Sequence, residues 1–66
     1  QTKNEIIIDS SIKVKGIKIF DASGKLLYNK KENDYKVEIN SMYYKSGVYV
    51  LEVETSKGKE VRKILK

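Results

Sequence analysis

The sequence predicts an all-β fold, a small antiparallel sandwich or barrel, and three observations carry that prediction. Apolar, β-branched and aromatic residues alternate with polar ones at a period of two. No stretch holds apolar residues at a 3.6-residue spacing long enough for a helix. Clusters of Gly, Asn, Asp and Ser break the alternation at the short intervals typical of sandwiches. The chain has 66 residues, enough for one small domain, and a domain of that size buries only about 60% of its unfolded surface.

Six strands are expected, in order Glu5–Asp9, Ile12–Phe20, Lys25–Asn29, Tyr35–Ile39, Val48–Thr55 and Glu60–Leu65. In the second, Ile12 and Val14 share one parity while Ile17 and Ile19 share the other. Gly16 sits at the switch, the position of a bulge or a bend between sheets. Asp21–Lys25 (DASGK) and Thr55–Lys59 (TSKGK) read as hairpin loops, with Gly24 and Gly58 at positive φ. In the fourth strand Tyr35, Val37 and Ile39 point one way, and Lys36 and Glu38 the other. The fifth has apolar residues on both faces over its first half, so it should be central and covered on both sides. Glu52 and Glu54 mark where its outer face meets water.

Composition removes much chemistry. There is no cysteine for a disulfide or a thiolate metal site, and no histidine as a metal ligand or general base. Neither a metal nor a cofactor is expected. Glu52 and Glu54 stand about 7 Å apart by strand rise, a spacing glycosidases use. Those enzymes flank a deep cleft that an exposed strand in so short a chain does not build. The serines have no histidine partner to activate them. The Gly24 and Gly58 loops are followed by strands rather than by the helix a phosphate cradle needs. The expectation is a module that is not an enzyme.

The net charge of +5 is concentrated at one end. Residues 57–66 hold five basic side chains, Lys57, Lys59, Arg62, Lys63 and Lys66, against the single acid Glu60. A basic surface with five tyrosines invites a nucleic-acid stacking platform. Yet Arg62 is the only arginine, whereas bidentate phosphate and base recognition favours arginine, so no nucleic-acid partner is expected. Tyr43 and Tyr44 lie in the longest irregular stretch, Asn40–Ser46, where exposed rings could stack on a sugar. The competing reading has one of them, with Met42, plug the end of the sandwich. No apolar run approaches the length of a membrane-spanning helix. The opening residues have neither an initiator Met nor a signal-peptide layout, and the chain is read as a downstream piece of a longer protein.

Four pieces in this order carry a resemblance: IKIFDASGKLLYN, then SGVYVLEV, then a Gly-Lys turn, then the basic–apolar ending RKILK. Together they resemble the C-terminal sorting domain of the bacterial type IX secretion system, over Ile12–Lys66. That resemblance implies an immunoglobulin-like antiparallel β-sandwich of about six to seven short strands. It implies that residues 1–66 are one sorting domain, the C-terminal fragment of a longer exported protein. It implies a signal that directs a cargo domain of the same parent chain through the periplasm to the cell surface or the medium. The implied partners are the outer-membrane translocon and a sortase-like peptidase that usually removes the domain. Gly47 and Tyr49 match the family's Gly-x-Tyr motif. Lys63, Ile64, Leu65 and Lys66 match its ending. The Pro-Asn-Pro motif common before the first strand does not occur within these 66 residues, which hold no proline; either they begin after it or this member lacks it.

Composition alone makes Lys57–Lys66 a solvated edge strand blunted by lysine. The resemblance makes it an element read by a receptor. Lys63 and Lys66 then steer an acidic groove, Ile64 and Leu65 fill its pockets, and the strand adds to a sheet edge. Gly47 supplies a backbone geometry that a β-carbon would disturb, and Tyr49 a core anchor with a polar tip. Exchange of an edge strand into a homodimer is a further route open to so small a sandwich. The other functional reading is an immunoglobulin-like adhesion or glycan-binding module that depends on Tyr43 and Tyr44.

Overall fold

The computed structural model describes residues 5–42 and 44–66. Every described residue of the six expected segments except Lys25 lies in a strand, but the segments join into four: β1 (Glu5–Asp21), β2 (Leu26–Asn40), β3 (Val48–Thr55) and β4 (Gly58–Leu65). They form one open antiparallel sheet in the order β2-β1-β3-β4. The count of four, against the six to seven expected, has a local cause. Ser10–Ser11 and Lys30–Asp34 contain no glycine or proline to break the ladder, so the chain bends there without leaving the strand. Side chains take up the backbone donors at these bends: Ser10 Oγ accepts from Ile12 N at 3.1 Å, and Asp34 Oδ1 from Tyr35 N at 2.7 Å.

The bends are large. Seventeen residues of straight strand would reach about 53 Å at about 3.3 Å each, yet the molecule's longest dimension is 30 Å. The β1–β2 hairpin therefore folds back across the sheet. Its open end pairs Ile6 with Ile39 and Ile8 with Val37, and its turn end pairs Ile19 with Tyr28. Pairing lapses between Asp9 and Val14, where the fold-over occurs. The side chains of both halves meet in one cluster: Ile6, Ile8, Val37 and Ile39 with Val14, Ile17, Ile19, Leu51 and Val53. Val14 and Ile19 are wholly inaccessible, which a flat single sheet would not permit.

The parity switch is a β-bulge, as expected. From Val14 to Gly16, β1 advances two residues while β3 advances one, from Thr55 to Glu54. The extra residue turns Ile17 and Ile19 to the face that Val14 already occupies. A β-carbon on Gly16 would lie 3.3 Å from Glu54 Oε1, a tight but yielding contact.

Two expectations need correction. β3 is central between β1 and β4, but its outer face is not covered along the first half: Val48 is exposed and Val50 half-buried. Apolar residues on both faces signalled a second covering layer that the described residues do not supply. Tyr35, expected inward with Val37 and Ile39, is exposed because it sits beside the bend at Asp34.

Candidate recognition surface at the C-terminal strand

The tight turn between β3 and β4 sets the geometry of this end. Thr55 Oγ1 accepts from Lys57 N at 3.1 Å, and Gly58 follows at φ +122°, so Thr55 pairs with Gly58. Counting back along both strands, Val50 falls opposite Lys63, Tyr49 opposite Ile64 and Val48 opposite Leu65. One step further, Gly47 N donates to Lys66 O at 3.0 Å and Lys66 N donates to Gly47 O at 2.9 Å. Gly47 has φ +154°, and nothing lies within 4 Å of the point where a β-carbon would stand, so its requirement is conformational rather than steric.

The segment between β2 and β3 is gathered onto this pairing. Asn40 Oδ1 accepts from Met42 N at 2.9 Å, and Tyr44 N donates to Ser41 O at 3.0 Å, forming a turn. The Lys66 ammonium donates to the carbonyls of Ser41 and, at 2.6 Å, Tyr44. It also stands 6.0 Å from the centre of the Tyr44 ring. That ring stacks on Tyr49 with centroids 5.4 Å apart, and the Tyr49 hydroxyl donates to Lys45 O at 2.5 Å. Burial pushes the Tyr44 hydroxyl above its ordinary pKa, with Tyr28 and Tyr49 adding to the effect.

The six residues singled out from the sequence divide into two groups. Tyr49 and Ile64 are buried and face the core, while Gly47 and Lys66 close the sheet beside them. Lys63 and Leu65 point to the opposite, outer face, where Leu65 is 70% exposed. Arg62 is held by Glu60, with contacts of 2.6 and 2.9 Å, in an exposed pair of small energetic weight.

Sequence reading missed Ser41 and Tyr44 as the acceptors of the Lys66 ammonium. The pairing of Gly47 with Lys66 was not read from the sequence either, although it follows by counting back from the Thr55–Gly58 turn. Nothing in the residue pattern shows where the intervening loop carbonyls fall. Tyr44 is taken up by Tyr49 and Lys66, while Tyr43 lies outside the described residues. Among the described residues no group of three acidic side chains is placed to hold a metal ion.

No curated protein matches the chain at a significant level. The family model described as a secretion system C-terminal sorting domain matches residues 2–66, nearly all of the sequence, and nothing favours the adhesion reading. The chain belongs to that family, and it is a C-terminal sorting signal of type IX secretion.

Proposed function

We propose that residues 1–66 act as one folded module, carried behind a cargo domain of the same parent chain and read by the outer-membrane translocon and a sortase-like peptidase. The cargo passes through the periplasm to the cell surface or medium, and the peptidase removes the module. The module works by being bound and does no chemistry of its own, in keeping with a chain that lacks histidine and cysteine. Counting β1 and β2 on either side of their bends gives six strand segments, which supports an immunoglobulin-like sandwich as the form that is recognised.

The observation that carries this reading is the pairing of Lys66 with Gly47. Those two hydrogen bonds continue the β3–β4 pairing one step past Leu65, which supports a basic segment that is recognised as a folded strand with defined faces rather than as a loose tail. In this arrangement Lys63 and Leu65 touch the receptor. Gly47, Tyr49, Ile64 and Lys66 fix the strand that presents them. Among the described strands β4 lies at the edge of the sheet, the position at which strand addition takes place.

The test is export of a reporter fused ahead of residues 1–66 in a bacterium with type IX machinery. A version lacking Arg62–Lys66, and a full-length version with Lys63→Glu and Leu65→Asp, are compared with the parent. The reading expects surface and medium reporter to collapse for both, with the substituted module still folded in the periplasm. Equal export of all three versions would remove it.

A further inference from the structure

Beyond the end of β4, the outer face of the sheet carries an apolar surface interrupted by Lys63. On this face Phe20 pairs with Leu26 on one side and Val50 on the other, and Val50 pairs with Lys63. Val48 pairs with Leu65. Val61 and Leu65 are the diagonal neighbours of Val50 along β4, within reach across an antiparallel ladder. Leu26 is 46% exposed, Val48 37%, Val61 64% and Leu65 70%, and Phe20 and Val50 are half-buried between them. Apolar residues of all four strands thus contribute to this face, with Lys63 standing between Val61 and Leu65 on β4. Small soluble domains seldom leave such an apolar surface open without a use for it.

Charge distinguishes the occupants of such a face. Glu52 is held by Lys59 at 3.7 Å, and Asp21 accepts from its own turn. Lys18 and Lys63 make no ion pair among the described residues. Glu54 on the same face also makes no ion pair among the described residues, but Lys18, Lys31 and Lys63 outnumber it, so the excess charge at this surface is positive. A second copy docked by the same face would bring lysines against lysines.

We propose that this outer face docks a component of the export machinery whose surface has an apolar centre ringed by carboxylates. The proposal rests on the sorting function above and extends the contact from Lys63 and Leu65 to Leu26, Phe20, Val50 and Val61. The lysines guide approach and exclude cationic surfaces, and the apolar residues supply the buried centre of the contact.

The experiment repeats the export assay with the double substitution Leu26→Glu and Val61→Glu, two exposed positions outside the C-terminal motif. Lys36→Glu, on the folded-over half, serves as a charge-matched control. The expected result is an export level about tenfold below the parent for the double variant, with Lys36→Glu at the parental level. Val61→Glu alone gives the same comparison should the double variant melt at lower temperature. Parental export of the Glu variants, beside lost export on deleting Arg62–Lys66, overturns the outer face and leaves the sorting reading standing. No export of the parent overturns both. An equal loss for Lys36→Glu overturns the patch in favour of a net-charge effect. Two binding measurements on the purified module complete the test: sedimentation with phosphatidylglycerol vesicles, and dimerisation by ultracentrifugation. Either association, if abolished by the Glu substitutions, reassigns the face to lipid or to a second copy and overturns the proposal.

Discussion

Gly47 and Lys66 exchange two backbone hydrogen bonds of 3.0 and 2.9 Å, nineteen positions apart in sequence, and this pair closes the open end of the β3–β4 hairpin. The Lys66 side chain then reaches back over the same junction to the carbonyls of Ser41 and Tyr44. Backbone and side chain of one residue thus fasten both β4 and the Ser41–Gly47 segment. Cutting either fastening should therefore weaken the end of the sheet at which they meet.

Cutting the backbone fastening calls for Gly47→Ala. At φ +154° an L-residue is strained even in open space, so the substitution should cost about 1–3 kcal/mol. The cost should show as a lower midpoint in urea with an unchanged slope. A stability equal to the parent's would mean that the glycine is not required by its conformation.

Cutting the side-chain fastening calls for Lys66→Met, which keeps the apolar stem and removes the ammonium. Two charge-assisted hydrogen bonds are lost from a half-exposed site, so a decrease of about 1 kcal/mol is expected. Amide exchange should quicken at Tyr44, whose N–H closes the turn onto Ser41 O. An unchanged exchange rate there would show that the turn stands without the lysine.

These two fastenings also show how far the sequence could be read. Strand identity came through because alternation is a local property, and the bulge was legible because Ile12/Val14 and Ile17/Ile19 fall on opposite parities. The joining of six segments into four was not legible. Whether a chain bends within a ladder or leaves it depends on cross-strand partners that Ser10–Ser11 and Lys30–Asp34 do not announce. Ile64 and Leu65 look alike as neighbouring apolar residues, yet register alone sends one into the core and the other to solvent. Ser41 and Tyr44 offer backbone carbonyls to Lys66, and a backbone carbonyl has no sequence signature at all.

The Asp21 turn gives a pH dependence. Its carboxylate accepts from Ser23 Oγ at 2.7 Å and from the N–H groups of Ser23 and Lys25, each at 2.9 Å. The Ser23 hydroxyl, followed by the Lys25 amide, holds its pKa below the ordinary 3.8. A lowered pKa in the folded state means that the contribution is fully present above the unfolded value, and fades as pH falls through it toward the folded one. The parent should therefore lose more melting temperature than Asp21→Asn between about pH 6 and pH 3. The difference between the two removes the effect of the other carboxylates. Parallel loss in both proteins would show that the turn does not depend on the ionised form.

The neighbouring pair Ile64 and Leu65 separates folding from recognition. Ile64 is 7% exposed and packs beside Tyr49, so Ile64→Ala removes core contacts and leaves a cavity. On an edge strand the cost should fall at the low end of the usual range, about 2–3 kcal/mol. Leu65 is 70% exposed on the outer face, so Leu65→Ala should change stability by no more than about 0.5 kcal/mol. Export should rank the other way once stability is accounted for. The Ile64 variant should recover export at lower temperature, where its folded fraction is restored, because it only presents the strand. The Leu65 variant should remain impaired at every temperature, because what it lacks is contact with the receptor. Recovery of Leu65→Ala on cooling, or persistent loss for a fully folded Ile64→Ala, would exchange the roles assigned to the two residues.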